Sequence, residues 1–343
     1  MKILFIGGSG VISRAVAHQT LAAGHELWLL NRGQRRPIDG ARPLVADISD
    51  LEGVRAALSG HTWDVVVQWI GFVPADIRRD LDLFRQTTRQ YIFISSASVY
   101  QKPPSHYVVT ESTPRANPYS DYARLKIACE EELETARHTL GFPGVIVRPS
   151  LTYGEDHIPL VLNSPKQSWT AVDRLRRGVP VIVPGDGTSL WTITHNTDFA
   201  RGLIGLFGNL ATLGEIFHIT SDEVLTWNQI FQLTAQAAGA AAPKFVHIPS
   251  DFIASCVPAV EGTLLGDKIY SAVFDNTKIK RFVPGFAAKM SFSAGIRQAV
   301  AWFEADPGRR QIDGAINDRW DRLAVAYENA LAQAKAAFAG GQK

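Results

Sequence analysis

The sequence has few cysteines and no long hydrophobic run. Its 343 residues include two cysteines, Cys129 and Cys256, which lie far apart in the chain. Two such thiols form neither a disulfide framework nor a cysteine metal site, and they are typical of a protein kept in the reducing cytoplasm. No apolar stretch reaches the roughly 18 residues of a membrane span, and the run at residues 3–6 is too short for a signal peptide. We therefore expect a cytoplasmic protein without a membrane partner.

The chain also lacks a strong excess of charge of either sign. Its 35 basic and 33 acidic side chains leave a formal net charge of +2, which gives no general attraction to nucleic acid phosphates. Four histidines could suggest a metal site, but they have no metal-ligand spacing; they are His157, His195, His218 and His247. We expect no metal and no nucleic acid, and a small molecule as the partner.

What the sequence does contain is a regular alternation of strands and helices in its first 150 residues. Short runs rich in Val, Ile, Leu and Phe predict buried strands, and they occupy residues 2–6, 26–30, 43–46, 64–69, 91–95 and 144–148. Helical periodicity separates them at residues 11–23, 50–58, 75–89 and 119–140. This order predicts an α/β fold with a doubly wound parallel sheet, the Rossmann arrangement, whose ligands bind at the carboxyl ends of the strands.

After Pro149 the regular alternation ends, which indicates a second domain. Residues 1–150 are expected to form the Rossmann domain, and segments near residues 190–220 are expected to return to it. Residues 151–310 mainly build a smaller α/β substrate domain that is interwoven with the first. Residues 311–343 are expected to form a C-terminal helix and tail.

A glycine-rich turn joins the first strand to the first helix. Gly7 permits the tight turn, and Gly10 lets the backbone at Val11 and Ile12 approach a pyrophosphate at the positive end of the helix. The third position of the usual fingerprint is Ser13, which is small but is not glycine. A glycine-rich turn by itself also fits a purely geometric role. Its place directly after the first strand, with another strand following, predicts dinucleotide binding.

The end of the second strand indicates which dinucleotide is bound. Enzymes that use NAD usually have an acid here that holds the ribose 2′-hydroxyl, whereas this chain has Asn31 and Arg32. A guanidinium pairs with the extra phosphate of NADP, which an acid would repel. We therefore expect NADP as the preferred cofactor and NAD as the second candidate; a solvated basic loop is the alternative interpretation. Asp47 and Ile48, after the third strand, are expected beside the adenine.

Three side chains predict the chemistry. Tyr122 and Lys126 lie four residues apart in a predicted helix, so they share one face. A phenol with a pKa of about 10 is a poor acid–base at neutral pH, but a neighbouring ammonium stabilises its phenolate and can also hold the nicotinamide ribose. A serine of the cluster Ser95, Ser96 and Ser98, at the end of the fifth strand, can donate a hydrogen bond to a substrate carbonyl as hydride adds to its carbon. The three together, after a glycine-rich turn, predict hydride transfer.

These motifs resemble those of the extended short-chain dehydrogenase/reductases of the NAD-dependent epimerase/dehydratase family. The matching residues are Gly7, Gly10, Asp47, Ser96, Tyr122, Lys126, Arg148, Pro149, Tyr153 and Gly154, and the resemblance covers residues 1 to about 305. It implies that Tyr122 is the acid–base, that Lys126 is its electrostatic and ribose partner, and that Ser96 orients the carbonyl. It also implies a homodimer that pairs through the helix at 119–140.

The chain departs from this family at positions near the substrate. Residues 68–71, Gln-Trp-Ile-Gly, stand where the family tends to have His-Leu-Ala-Ala. Leu151 and Trp191 stand where the nucleotide-sugar enzymes have an Asn and an Arg. Because a buried diphosphate needs such donors, we expect a compact polyol- or sugar-like substrate instead. The side chains expected to contact it are Trp69, Ser98, Leu151 and Trp191.

Three functions are compatible with the sequence. The leading one is an NAD(P)-dependent oxidoreductase that interconverts a hydroxyl and a ketone or aldehyde on a small polar substrate. The second is a nucleotide-sugar epimerase or dehydratase, in which tightly bound NAD takes hydride and returns it. The third is a non-catalytic, RNA-associated member of the family. The intact Ser96, Tyr122 and Lys126 and the near-neutral charge argue against this last function.

Overall fold

The computed structural model describes residues 1–340, which contain both helices and strands. The strands are β1 Lys2–Ile6, β2 Glu26–Asn31, β3 Arg42–Val45, β4 Val65–Gln68, β5 Tyr91–Ile94, β6 Val108–Val109, β7 Gly144–Pro149, β8 Thr152–Tyr153, β9 Pro180–Pro184, β10 Leu190–Trp191, β11 Thr194–His195, β12 Ile216–Ile219, β13 Leu225–Thr226, β14 Lys244–Ile248 and β15 Val273–Phe274. The helices are α1 Val11–Ala22, α2 Leu51–Leu58, α3 Pro74–Phe84, α4 Asp121–Leu140, α5 Trp169–Arg177, α6 Asn196–Ile204, α7 Trp227–Ala237, α8 Ser250–Cys256, α9 Glu261–Thr263, α10 Thr277–Phe282, α11 Phe292–Glu304 and α12 Gly314–Gly340. Short 3₁₀ or π turns occur at Ala97–Val99, Leu210–Thr212, Pro258–Val260, Leu264–Lys268 and Pro307–Arg309.

Seven strands form one parallel sheet in the order β12-β7-β5-β4-β1-β2-β3. Ile3 of β1 lies opposite Leu27 of β2 and Val65 of β4, which fixes the register at the centre of the sheet. The direction of winding reverses between β1 and β4, and such a reversal opens a ligand crevice at the carboxyl ends of the strands. The predicted doubly wound Rossmann fold is confirmed.

The central strands are buried on both faces, which explains why they are nearly continuous apolar runs rather than alternating ones. Ile3, Leu4, Phe5 and Ile6 of β1 all have 0% of their surface exposed. Alternate side chains point to opposite faces of a strand. Ile3 and Phe5 accordingly belong to one hydrophobic core, and Leu4 and Ile6 belong to the other.

Helix α4 has well-defined ends, and these place its functional residues. Before its first turn, Ser120 Oγ accepts a hydrogen bond from the amide of Ala123 at 3.3 Å, which is the usual N-cap arrangement. After its last turn, Gly141 has a φ of +66°, the left-handed conformation that ends many helices. Tyr122 therefore lies in the first turn of α4 and Lys126 in the second.

The chain divides into two compact units. Unit 1 comprises Met1–Tyr153, Thr192–Glu223 and Val273–Met290, and it contains the seven-stranded sheet together with the short pairs β8–β11 and β6–β15. Unit 2 comprises Gly154–Trp191, Val224–Ala272 and the described residues from Ser291 onward. It contains the parallel pair β9–β14 and the antiparallel pair β10–β13.

Residues 1–340 contain neither a membrane-spanning helix nor a cluster of metal-ligating side chains. None of the helices in this range is both long and apolar enough to cross a membrane. Nowhere in the same range do three or more His, Cys, Asp or Glu side chains form a group that could hold a metal ion. The two cysteines are free thiols, with Cys129 buried and Cys256 exposed.

Candidate active site

The glycine-rich turn lies at the carboxyl end of β1. Gly7 and Gly8 have φ angles of +88° and +91°, in the left-handed region that favours glycine. The amide of Gly7 donates to the carbonyl of Leu30 at 2.9 Å. A Cβ atom on Gly7 would lie 2.8 Å from Ile70 Cγ2. Both the backbone conformation and the neighbouring side chain therefore restrict position 7 to glycine.

Ser13 takes part in the turn in place of the usual third glycine. Its side chain is buried, and its Oγ accepts a hydrogen bond from the amide of Gly10 at 2.8 Å. This bond fixes Gly10 at the start of α1. The first-turn amides of Val11 and Ile12 have no acceptor within the helix because of their position, so they are suited to a phosphate.

A cavity of about 390 Å³ opens beside this turn. Its lining comes from the turn, from the ends of β2 and β3 and from the loop after β4, and comprises Gly7, Ser9, Leu30, Asn31, Arg32, Gln34, Arg35, Ala46, Asp47, Ile48, Ile70 and Phe72. Five of the predicted cofactor residues, Gly7, Asn31, Arg32, Asp47 and Ile48, thus lie around one cavity. Its position at the carboxyl ends of parallel strands is the one where this fold binds ligands.

Two guanidinium groups give the cavity positive charge. Arg32 and Arg35 both line it, and Arg35 Nη1 donates to the carbonyl of Ser9 at 3.2 Å. Asn31 uses its side-chain oxygen within the loop, where it accepts the amide of Gly33 at 2.8 Å. This donor set fits a phosphate. Arg35 follows Arg32 in the basic loop after β2, but the sequence could not show its contact with Ser9, which joins two separate loops.

Asp47 is the carboxylate of the cavity. Its Oδ1 accepts hydrogen bonds from the amide of Ser49 at 3.0 Å and from the hydroxyl of Ser49 at 2.7 Å. These bonds lower the pKa of Asp47 below its usual value, since they favour the charged form. The group is therefore a fixed acceptor at neutral pH, suited to a ligand N–H group such as an adenine amine.

Tyr122 and Lys126 lie one turn apart on α4 in very different surroundings. Tyr122 is 44% exposed, whereas Lys126 is 1% exposed. Lys126 Nζ donates to the carbonyls of Gly71 and Ile94 at 2.7 and 2.8 Å, and it lies 5.8 Å from the centroid of the Tyr122 ring. An ammonium group has three donor hydrogens. These two bonds therefore leave one hydrogen for a ligand hydroxyl.

Burial changes the acidity of this ammonium group. Loss of hydration lowers the pKa of Lys126 to about 8, although the neighbouring Cys129 and Glu130 oppose the shift. The positive charge, when present, lies close enough to the phenol of Tyr122 to favour its ionised form. The pair can thus give Tyr122 a role in proton transfer that an isolated phenol could not perform near neutral pH.

Ser96 lies at the turn that follows β5. Its Oγ accepts hydrogen bonds from the amide of Ser98 at 3.2 Å and from the hydroxyl of Ser98 at 2.9 Å. Asn117 Nδ2 holds the turn through the carbonyl of Ser98 at 2.8 Å. The turn Ala97–Val99 packs against α4. The two hydroxyls are therefore a connected pair beside the helix that carries Tyr122.

A buried carboxylate that sequence reasoning missed connects these elements. Glu130 of α4 is 0% exposed and accepts hydrogen bonds from Ser95 Oγ at 2.5 Å and from Arg148 Nε and Nη2 at 2.9 and 2.6 Å. Arg115 Nη1 adds a further contact at 3.2 Å. Glu130 follows Lys126 by four residues, and this spacing on one helical face was the available signal.

A second buried carboxylate fixes the loop after β4. Gln68 donates to Asp80, and Gln68 Oε1 accepts the amide of Ile70 at 2.8 Å. Asp80 also accepts the hydroxyl of Tyr91 at 2.7 Å and pairs with Arg79. Burial raises the pKa of Asp80, and the charge of Arg79 opposes that shift. Gln68, one of the departures from the family pattern, thus shapes the loop whose Gly71 carbonyl holds Lys126.

Three of the four predicted substrate residues belong to unit 1. Trp69 makes an edge contact with Phe5, with ring centroids 5.5 Å apart, and its Nε1 is buried without a hydrogen-bond partner. The hydroxyl of Ser98 donates to Ser96. Leu151 is half-buried, and its carbonyl accepts the amide of Thr194 at 3.0 Å.

The fourth, Trp191, belongs to unit 2 and is 2% exposed. Its ring stacks on that of Trp227, with centroids 5.4 Å apart. Lys268 Nζ lies 4.4 Å from its centroid, and this ammonium is paired with Asp267 at 2.5 Å. The Nε1 atom of Trp191 has no hydrogen-bond partner. The polar N–H group, rather than a ring face, is what this residue can present to a ligand.

Three features together define an extended short-chain dehydrogenase/reductase. They are the doubly wound sheet, the glycine-rich turn beside a cationic cavity, and the Tyr–Lys pair next to a serine turn. Residues 3–219 match the family model described as NAD dependent epimerase/dehydratase family. The chain belongs to this family, whose members bind NAD. Its relatives include a reductase, an epimerase and a dehydratase, which supports an enzyme of the short-chain type.

Individual relatives cover much of the chain at low identity. The chain is 27% identical over 268 residues to the chloroplast stem-loop binding protein of 41 kDa b of Arabidopsis thaliana, a match that covers 73% of this chain and 67% of that protein. It is 23% identical over 331 residues to 2′-dehydrokanamycin reductase of Streptomyces kanamyceticus, a match that covers 95% and 91%. The UDP-glucose 4-epimerase of Thermus thermophilus, solved in complex with NAD, has a TM-score of 0.69 at 22% identity, covering 89% of this chain and 99% of that one. This last likeness supports the fold.

The buried ammonium predicts how stability depends on pH. The folded pKa of Lys126 is about 8, below the reference value of 10.5, so between these values the unfolded chain binds more protons and stability rises with pH. The free energy of unfolding of the wild type should therefore rise relative to that of Lys126→Met, by about 3 kcal/mol from pH 7.5 to 10.5. Urea unfolding at several pH values measures this difference.

The exposed residue Lys166 provides the control. Lys166→Met removes a lysine that stays exposed in the folded protein, so it controls for the loss of one positive charge from the chain. If the difference in the free energy of unfolding between the wild type and Lys126→Met did not change across this pH range, the Lys126 ammonium would not be desolvated in the folded protein.

Proposed function

We propose that the protein is an NADP(H)-dependent oxidoreductase that interconverts a hydroxyl and a carbonyl group on a small polar, polyol- or sugar-like substrate. The observation that carries this proposal is the contrast on α4 between Tyr122, which is 44% exposed, and the ammonium of Lys126, which is 1% exposed one turn below it. An accessible phenol above a buried positive charge is suited to move a proton to or from a substrate oxygen. The chain belongs to an NAD-dependent family, and a nicotinamide nucleotide is the hydride donor or acceptor that such a reaction needs.

The residues of the chain divide the reaction between them. A bound nicotinamide nucleotide supplies hydride to the carbonyl carbon, or accepts it in the reverse direction. The phenol of Tyr122 donates its proton to the carbonyl oxygen as charge develops there. Lys126 stabilises the resulting phenolate through its positive charge, and its remaining N–H group is available to a ribose hydroxyl. The hydroxyl of Ser96, paired with that of Ser98, holds the carbonyl oxygen beside Tyr122.

The preference for NADP(H) rests on the charge of the cavity. Arg32 and Arg35 both line it at the end of β2, where NAD-specific enzymes usually have an acid. A phosphate on the adenosine 2′-oxygen carries the negative charge that this pair of guanidinium groups would bind. The family uses NAD, so the proposed preference distinguishes this chain within it.

The proposed substrate class rests on the lack of free positive charge among the described side chains considered for binding a diphosphate. These side chains are either neutral or already paired with a carboxylate. Trp191 offers one N–H group and Leu151 none. The nearby cation Lys268 is paired with Asp267. The arginines of α5 are engaged within the protein, since Arg174 contacts Asp321 and Arg177 contacts Asp173. The relative that covers 95% of this chain is named as a reductase of 2′-dehydrokanamycin, which favours release of the oxidised cofactor over return of the hydride.

The alternative of an RNA-binding role has one relative in its favour, the protein named for stem-loop binding. Binding to RNA phosphates requires a basic surface, and the net charge of +2 over 343 residues provides no general one. The complete set of Ser96, Tyr122 and Lys126 has no purpose in such a role. We therefore favour the enzymatic function.

Two copies of the chain are proposed to pair through α4. This helix exposes the apolar side chains of Leu125 and Leu140, each 41% exposed. The buried residues of the same helix include Lys126 and Glu130. Pairing at Leu125 and Leu140 would cover apolar surface without disturbing the residues that point into unit 1.

The free thiols of Cys129 and Cys256 fit the reducing cytoplasm that we propose as the location of the protein.

The first test concerns the cofactor. NADPH should bind more tightly than NADH, and Arg32→Asp should reverse the preference at a cost of about 1–3 kcal/mol in NADPH binding, because a charged hydrogen bond is replaced by repulsion. Fluorescence or calorimetric titration of both nucleotides measures this. Arg36→Asp is the matched control, since Arg36 lies in the same loop but is not among the cavity-lining residues. NADH binding as tightly as NADPH in the wild type would contradict the proposal.

The second test concerns the phenol. Tyr122→Phe removes one hydroxyl and should lower turnover by about 10²–10⁴-fold, the usual contribution of a positioned acid–base, while cofactor affinity changes little. Tyr119→Phe makes the same change three residues earlier, where no lysine follows at the same spacing, and should leave turnover intact. The measurement is the rate of NADPH oxidation with a reactive ketone or aldehyde. Activity of Tyr122→Phe within about threefold of the wild type would remove this residue from the mechanism.

The third test concerns the substrate class. UDP, dTDP and GDP should show no binding by isothermal titration, because the residues that would hold their diphosphates are neutral or paired. NADPH oxidation should occur with members of a panel of simple ketones, aldehydes and keto-sugars. A dissociation constant in the low micromolar range, about −8 kcal/mol, for any of the three nucleotides would favour the epimerase or dehydratase alternative. Purification with tightly bound NAD would point the same way.

A further inference from the structure

The last helix of the chain is packed along its first half only. In α12, Ile316, Trp320, Leu323 and Ala324 are buried, and Trp320 Nε1 donates to the carbonyl of Leu162 at 3.0 Å. From residue 328 to residue 340 every side chain is exposed. This exposed segment of 13 residues extends for about 20 Å at the rise of an α-helix. Isolated helices of this length are marginal in water, so a contact along the segment would stabilise it.

The exposed segment keeps the apolar spacing of the packed half. Beyond the buried residues Trp320 and Ala324, the stripe continues with Tyr327, Leu331, Ala334 and Phe338, at alternating steps of three and four residues. Tyr327 still contacts the ring of Phe252, with centroids 5.4 Å apart. Leu331 and Phe338 are 41% and 77% exposed. Alternating steps of three and four are the repeat that pairs helices in coiled coils, and this stripe, residues 327–338, is referred to below as the α12 stripe.

The charges beside the α12 stripe determine in which relative direction two such helices can pair. Glu328 and Lys335 are the charged residues of the segment 328–340, and both directly follow a stripe residue, Tyr327 or Ala334. They therefore lie on the same edge of the stripe, seven residues apart. The opposite edge has alanine at positions 330 and 337, which permits close approach of another helix.

A second copy of the helix that runs antiparallel matches both the apolar stripe and the two charges on its edge. With Leu331 of one copy opposite Ala334 of the other, Tyr327 lies opposite Phe338, and the two-fold symmetry repeats both layers. The same register places Glu328 of each copy beside Lys335 of the other. A parallel pair would place these charges beside Leu323 and Ala330 instead, where they have no partner of opposite sign.

We propose that the α12 stripe is a self-association surface on which two copies of the chain pair as an antiparallel two-helix coil, closed by two Glu328–Lys335 contacts. This contact is separate from pairing through α4 and does not depend on the proposed enzymatic function. It is limited to about three helical turns from each copy, so it should be weak alone and should add a concentration-dependent step to any assembly through α4.

Exchange of the charges tests the orientation. Glu328→Lys and Lys335→Glu each turn both attractive contacts into repulsive ones, and each should weaken the association constant of this step by about tenfold or more. The double variant, and an equimolar mixture of the two single variants, should restore association to within about threefold of the wild type. Sedimentation equilibrium of the full chain over a range from micromolar to millimolar concentration measures the constant.

Substitution at the stripe tests its location on the helix. Leu331→Gln should abolish the step, whereas Val325→Gln, an exposed apolar residue of the same helix outside the stripe, should leave it intact. Helix content by circular dichroism and the midpoint of urea unfolding serve as folding controls for all variants. The proposal would be overturned if the average molar mass of the wild type showed no concentration-dependent association step in sedimentation equilibrium. A Leu331→Gln variant that associates like the wild type would also overturn it, as would single charge variants that the double exchange does not rescue.

Discussion

The carboxylate of Glu130 is the group on which the arrangement of the candidate active site depends. It has no exposed surface, so its charge is stable only because Arg148, Arg115 and Ser95 all donate to it. Removing one partner of such a buried ion pair typically costs about 3–5 kcal/mol, because an uncompensated charge remains. The bonds join α4 to the ends of β5 and β7. They therefore set the position of the helix that carries Tyr122 relative to the strand that leads to Ser96.

A second constraint acts from the other side of Lys126. Its ammonium group is held by the carbonyl of Ile94, at the end of β5, and by that of Gly71, in the loop after β4. The loop has this shape because Gln68 bonds both the amide of Ile70 and the buried Asp80. The same loop borders the cofactor cavity through Ile70 and Phe72. The cavity and the Tyr122–Lys126 pair thus depend on one short segment, and a change in its conformation would reach both.

The sequence predicted those parts of the structure that local patterns determine. The apolar runs at residues 2–6 and 144–148 gave strands within one residue of their observed ends, since strands buried on both faces have an unmistakable composition. The seven-stranded doubly wound sheet followed from the order of such runs. The spacing of Tyr122 and Lys126 placed them on one face of α4, but it could not show that one is exposed and the other buried.

What the sequence did not reveal depends on contacts between distant segments. Arg35 reaches Ser9 across two loops, and Glu130 meets Arg148 from a different element. Trp191 was expected to contact a substrate; in the structure its ring stacks on Trp227, and its N–H group has no hydrogen-bond partner. The identity of a stacking partner cannot be read from a single position, because any of several large residues could fill the same space.

The discontinuous path of unit 1 has a consequence for how the protein is made. Residues 1–153 supply six of the seven strands, but one of the two cores of the sheet is completed by Phe199, Phe217 and Phe286. During synthesis from the amino terminus, the outer edge of β7 stays unpaired until β12 has emerged, and that face of the sheet is complete only after Phe286 has emerged. Uncovered apolar sheet and an unpaired strand edge are what chaperones bind and what aggregation starts from. The nascent chain is therefore most vulnerable between the emergence of residues 1–153, which include Ser96, Tyr122 and Lys126, and that of Phe286, which completes the core.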